Sequence, residues 1–127
     1  MIQRVSGENK EKLRKESHKI CAILNKNNHN VSCTMLEEES FEEKPKKEIF
    51  THAFNEINKA DTLLAIVRSE KRSEGFLIEV GYAIAKNKRI ILAIKKKVIN
   101  TYLREMVSEF IEFENNRELY IKLKNLS

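Results

Sequence analysis

Thr62-Leu63-Leu64-Ala65-Ile66-Val67 and Arg89-Ile90-Ile91-Leu92-Ala93-Ile94 are two apolar runs of strand length. A strand with one wet face alternates apolar and polar residues. Unbroken apolar runs are typical of strands covered on both faces, as in a parallel sheet. Between them, Ser73 to Lys86 fits a helix, with a serine at its start and an apolar stretch after it. Strand, helix and strand in this order form a parallel unit whose crossover is the helix.

The flanking sequence repeats the alternation. Upstream, Lys46 to Lys59 reads as a helix with Ile49, Phe50, Ala53, Phe54 and Ile57 on its apolar face. Val31 to Met35 is a β-branched, strand-like run, and Glu37 to Pro45 is an acidic, irregular connection. Lys10 to Lys26 reads as a helix carrying Leu13, Ser17, Ile20, Cys21 and Leu24 on one side. Asn27-Asn28-His29-Asn30 ends it, since Asn favours helix ends and turns. Ile2 to Val5 is a short first strand. Downstream, Thr101 to Glu109 reads as helix, Phe110 to Phe113 as a short edge strand, and Asn115 to Leu126 as a closing helix. Five strands alternating with helices predict a flavodoxin-like, doubly wound α/β fold with a five-stranded parallel sheet between two helical layers. Residues 1–127 are expected to form a single domain. Ligands in such folds bind beyond the carboxyl ends of the strands, here the loops Ser6–Lys10, Met35–Pro45, Arg68–Gly75 and Lys95–Thr101.

Composition agrees with a globular chain. Hydrophobic residues are 41% and charged residues 34% of the 127, and three Gly with one Pro leave little room for a linker. No apolar run reaches the ~18 residues of a membrane span. The first residues lack the apolar core and cleavage pattern of a signal peptide, so a cytoplasmic location is expected. Cys21 and Cys33 lie among apolar residues and read as reduced core thiols. No metal-ligating pattern is present, and neither a metal nor another cofactor is expected. The net charge of +5 favours anionic partners. Lys86, Lys88 and Arg89 precede the second apolar run and Lys95, Lys96 and Lys97 follow it. They read either as a solvated face or as a phosphate-attracting rim. Nucleic-acid binding is disfavoured because no aromatic interleaves with these lysines.

Ser73-Glu74-Gly75 falls between a buried strand and a helix, on the binding side. Unpaired N–H groups at a helix start attract anions, and Gly75 admits close backbone approach. Ser73 could donate to a phosphate oxygen or simply cap the helix. Glu79 stands inside Phe76-Leu77-Ile78-Glu79-Val80-Gly81-Tyr82-Ala83. A carboxylate in an apolar helical stretch is costly to bury. It suits attack on a sugar carbon, or it is a salt-bridged or surface glutamate.

Asp61-Thr-Leu-Leu-Ala-Ile-Val, Ser73-Glu-Gly-Phe-Leu-Ile-Glu79-Val-Gly81-Tyr-Ala83 and Lys88-Arg-Ile-Ile-Leu together resemble the nucleoside 2-deoxyribosyltransferase superfamily, which includes 2'-deoxynucleoside 5'-phosphate N-hydrolases. The strongest likeness spans residues 49–94. The resemblance implies that Glu79 is the nucleophile that attacks C1' and forms a glycosyl-enzyme ester, as in retaining glycoside hydrolysis. Water would then make the chain a hydrolase, a second base a transferase. Ser73 and Gly75 match the segment that holds the 5'-phosphate, and Tyr82 and Ala83 look like packing residues. Two departures stand out. The family's first loop reads close to Gly-Ser-Ile-Arg. Here it is Val5-Ser6-Gly7-Glu8-Asn9-Lys10, in which Ser6, Gly7 and Lys10 are candidates for the phosphate contacts. The catalytic Asp that the family places eight residues before Asp61 is Ala53 here; His52 beside it points ~100° away around a helix. Asp61 itself opens its strand at the amino end and reads as structural.

The expected function is therefore an N-glycosidase on a (deoxy)nucleoside 5'-monophosphate. Alternatives are a non-catalytic nucleotide-binding domain and a glycosidase acting on a dinucleotide such as NAD. The resemblance also implies a homodimer or higher homo-oligomer, with Phe50, Phe54, Tyr82 and the Met106–Phe113 stretch as candidate interface or core. The acidic loop Glu37–Glu43 reads as solvated, and could also fold over the site and supply an acid.

Overall fold

The computed structural model describes residues 2–3, 10–26, 45–70 and 74–126. Within them four parallel strands lie in the order β1 (Ile2–Gln3), β2 (Thr62–Val67), β3 (Arg89–Lys95) and β4 (Glu109–Phe113). The helices are α1 (Lys10–Lys26), α2 (Lys46–Lys59), α3 (Glu74–Ala85), α4 (Leu103–Met106) and α5 (Asn116–Lys124). The strand expected at Val31–Met35 lies outside the described residues, as does the far end of the first strand.

Both apolar runs are strands, and both are covered twice. Leu63, Ala65 and Val67 of β2 and Ile90, Leu92 and Ile94 of β3 meet Ile57 of α2, Phe76, Val80 and Ala83 of α3, and Leu103 of α4. The alternate residues Leu64, Ile66, Ile91 and Ala93 meet Ile20 and Leu24 of α1 and Leu119 and Leu123 of α5. Two clusters on opposite faces of one sheet are the reason the strands show no polar alternation. Register is in phase, with Leu63 opposite Ile90, Ala65 opposite Leu92 and Val67 opposite Ile94.

Three expectations need correction. The helix expected over Thr101–Glu109 is only α4. Val107 is already extended, at φ −117 and ψ 154, because Glu109 must enter β4 opposite Ile91. Arg104 holds that turn: its Nη1 donates to the Val98 carbonyl at 2.6 Å and its Nε to Glu112 at 3.2 Å. The lysine-rich stretch is not one rim. Its halves stand at opposite ends of the seven-residue strand Arg89–Lys95, about 20 Å apart at the usual rise, so Lys86, Lys88 and Arg89 sit at the amino edge and Lys95–Lys97 at the carboxyl edge. Arg89 spends its fork on Glu109 at 2.6 and 2.9 Å, and Lys88 Nζ donates to the Asn58 carbonyl at 3.0 Å. Finally Arg68, expected in a polar loop, is 5% exposed.

Among the described residues no helix is long and apolar enough to cross a membrane, and no cluster of three metal-ligating side chains occurs. Cys21 is half-buried on α1. Cys33 and the acidic loop Glu37–Glu43 lie outside the described residues.

Candidate active site

The strands point their carboxyl ends to one edge. α2 and α3 begin at that edge, because each runs back antiparallel to the strand it covers. Gly75, Glu79 and Tyr82 are four and three residues apart, so they share one side of α3. That side faces α2. A Cβ built on Gly75 would lie 3.4 Å from Phe50 Cζ. The Tyr82 ring stacks on Phe54 with centroids 4.2 Å apart and planes 19° apart. The Tyr82 hydroxyl donates to Asn58 Oδ1 at 2.9 Å. Glu79 is thus held on the α2-facing side, one turn below Gly75 and above the Phe54–Tyr82 stack.

The electrostatics follow from that position. Glu79 is half-buried, and loss of solvent around its carboxyl pushes its pKa up from 4.5 to about 7. Ala53 on α2 is 2% exposed. It puts a methyl group at the position where the resemblance expects a carboxylate. Tyr82 packs on the edge of the α3-side core and Ala83 is fully inside it, as expected of packing residues. Asp61 is exposed at the amino end of β2, away from the site.

Ser6, Gly7 and Ser73 lie outside the described residues. So does the side chain of Lys10, although its backbone opens α1. Of the expected site residues, the structure therefore brings Gly75 and Glu79 together, on one side of α3. Beside Gly75 the Phe50 ring lies against the first turn of α3, at ordinary contact distance from where a Cβ would stand.

Three contributions escaped the sequence analysis. Glu70, in the segment after β2, accepts the Ile99 N–H at 2.9 Å. This ties the loop that leads to α3 to the loop after β3. Lys96 N–H donates to the Phe113 carbonyl at 3.0 Å, fixing that second loop to β4. On the opposite face, Arg68 pairs with Glu16 of α1 at 3.1 Å. Asn116 at the start of α5 donates to the other Glu16 oxygen at 2.7 Å. Alternation held the signal for Arg68. Leu64, Ile66 and residue 68 share a face, so the guanidinium points into the α1–α5 layer.

The nucleoside 2-deoxyribosyltransferase family model matches residues 6–116. The chain belongs to the nucleoside 2-deoxyribosyltransferase family. The matched span contains Glu79, Gly75, Ala53 and the first loop from Ser6 onward. The structure of Clostridium botulinum CMP N-glycosidase, BcmB, superposes with a TM-score of 0.76, covering 98% of each chain at 20% identity. At that identity the likeness is one of fold. No curated protein matches the sequence significantly.

Proposed function

We propose that this member of the family is a single-domain, cytoplasmic N-glycosidase that cleaves the base–sugar bond of a (deoxy)nucleoside 5'-monophosphate, with Glu79 as nucleophile. The observation that carries the reading is the Glu79 carboxyl, half-buried one turn below the start of α3 at the carboxyl edge. Family membership supports the bond type, and the BcmB likeness supports the fold that presents it. A Glu79 oxygen attacks C1' and the C1'–N bond breaks. Its electron pair leaves with the base, which takes up a proton. Water then adds to C1', the ester C1'–O bond breaks, and Glu79 returns as a carboxylate while water loses one proton. The balance is nucleotide plus water to base plus sugar 5-phosphate. A second base in place of water gives transfer. No metal or other cofactor enters this scheme.

The first turn of α3 at Gly75, with Ser73 and the first-loop residues Ser6 and Gly7, would hold the 5'-phosphate. Flavodoxin-like completion of the sheet would place Val31–Met35 along β1, which among the described residues pairs only with β2. The resemblance implies a homodimer or higher homo-oligomer, and light scattering tests it.

Chromatography of base released from a panel of nucleosides, nucleoside and deoxynucleoside monophosphates and NAD tests the reading. Wild type releases base from a monophosphate and Glu79→Ala does not. Release by both proteins sinks the role of Glu79. The buried Ala53 favours a second reading, a domain that binds nucleotides without cleaving them. Binding by thermal shift with no base from any substrate would establish it.

A further inference from the structure

The aromatic residues between α2 and α3 form a ladder with one open end. Its inner rungs are fixed. Tyr82 covers a face of Phe54, Asn58 holds the Tyr82 hydroxyl, and Lys86 Nζ stands 5.6 Å from the Tyr82 ring centre. The outer rung, Phe50, is different. Its centroid is 6.1 Å from that of Phe54 with planes 30° apart, a loose offset contact. Its tip rests on the first turn of α3 at Gly75, and its ring is only half-buried. Phe50 is therefore an aromatic surface, partly open, at the carboxyl edge and against Gly75, the residue one turn of α3 before Glu79.

We propose that Phe50 is the platform on which the planar base of the nucleotide stacks, so that α2 positions the base while α3 supplies the attacking carboxylate. This rests on the glycosidase reading for the placement of C1' at Glu79. Stacking tolerates every base, because each has a π face. Phe50 therefore contributes to affinity for nucleotides as a class and little to the choice among bases.

The sequence contains no tryptophan, so Phe50→Trp introduces a single fluorescent reporter. It is made in a Glu79→Gln background so that ligand is not consumed. Cytidine, uridine, adenosine and guanosine 5'-monophosphates and their deoxy forms should each quench it. Ribose 5-phosphate, which carries the same phosphate and no base, should not. Ile121→Trp, on α5 across the sheet, should respond to none of them. Quenching by ribose 5-phosphate equal to that by nucleotides, or none by any nucleotide, overturns the platform. Kinetics give a second test that does not depend on Trp fitting the site. Phe50→Leu should raise KM about tenfold with kcat within about twofold, and Phe50→Tyr should restore KM. An unchanged KM in Phe50→Leu also overturns the proposal. The two readings fail separately: quenching without base release by wild type removes the glycosidase, and base release without quenching removes the platform.

Discussion

Glu79 carries two demands that pull against each other. As the proposed nucleophile it must be ionised, and the raised pKa of about 7 means that half of it is neutral near that pH. The expected kcat/KM therefore falls about tenfold per pH unit below 7 and levels off above it. A pH profile of base release checks this. Stability runs the other way. A carboxyl whose folded pKa lies above its unfolded one binds more protons when folded. Its penalty is absent below about 4.5, grows between 4.5 and about 7, and is complete above. Glu79→Gln removes the charge and keeps the shape. It should abolish base release and stabilise the fold by about 1–3 kcal/mol at pH 8, with little change at pH 4. Urea titrations at the two pH values measure the difference, and a Glu79→Gln protein no more stable at pH 8 would show that the carboxyl is well solvated.

At the scale of elements, the helix ends carry particular requirements. Asn87 follows α3 with φ 57, the left-handed region where Asn is tolerated and a Cβ-only side chain is not. Asn87→Ala should cost about 1 kcal/mol in chemical denaturation, and Asn87→Gly much less. β2 and β3 were readable from sequence alone because burial on both faces leaves an unbroken apolar run, a pattern few other elements make. α3 and Glu79 were readable together, since a carboxylate within an apolar helix contrasts with its neighbours. The end of α4 was not readable. Leu103, Met106 and Val107 fit helical spacing, and only the pairing of Glu109 with Ile91 stops the helix. The lysines around β3 misled for a related reason: sequence neighbours lie on opposite edges once a strand runs between them. Arg68 was hidden because a charge beside a loop reads as solvated until the strand's alternation is known. The phosphate contacts proposed at Ser6, Gly7 and Ser73 rest on family resemblance, which composition and periodicity could not replace.

For the whole molecule, the two faces of the sheet differ in how they are secured. The α1–α5 face is tied by a buried ion pair with an amide attached to it. Glu16→Ala takes away the carboxylate 3.1 Å from a guanidinium that is 5% exposed and should cost about 3 kcal/mol. Denaturant unfolding measures it, and a loss below about 0.5 kcal/mol would mean the pair contributes no more than a surface one. Ile91, Leu92, Ala93 and Ile94 have strand partners on both sides and helices on both faces. Their amides should exchange hydrogen only through global unfolding, while those of α4 exchange through local opening. Native-state exchange resolves the two classes.

The link from Glu70 to the Ile99 N–H bears on how the edge behaves before any ligand arrives. It joins the segment after β2 to the segment after β3, so the two central strands are linked beyond their carboxyl ends by a side chain as well as along their length by the backbone ladder. Glu70→Ala would leave the ladder as the sole tie between them at that edge, and amide exchange at Ile99 should then quicken.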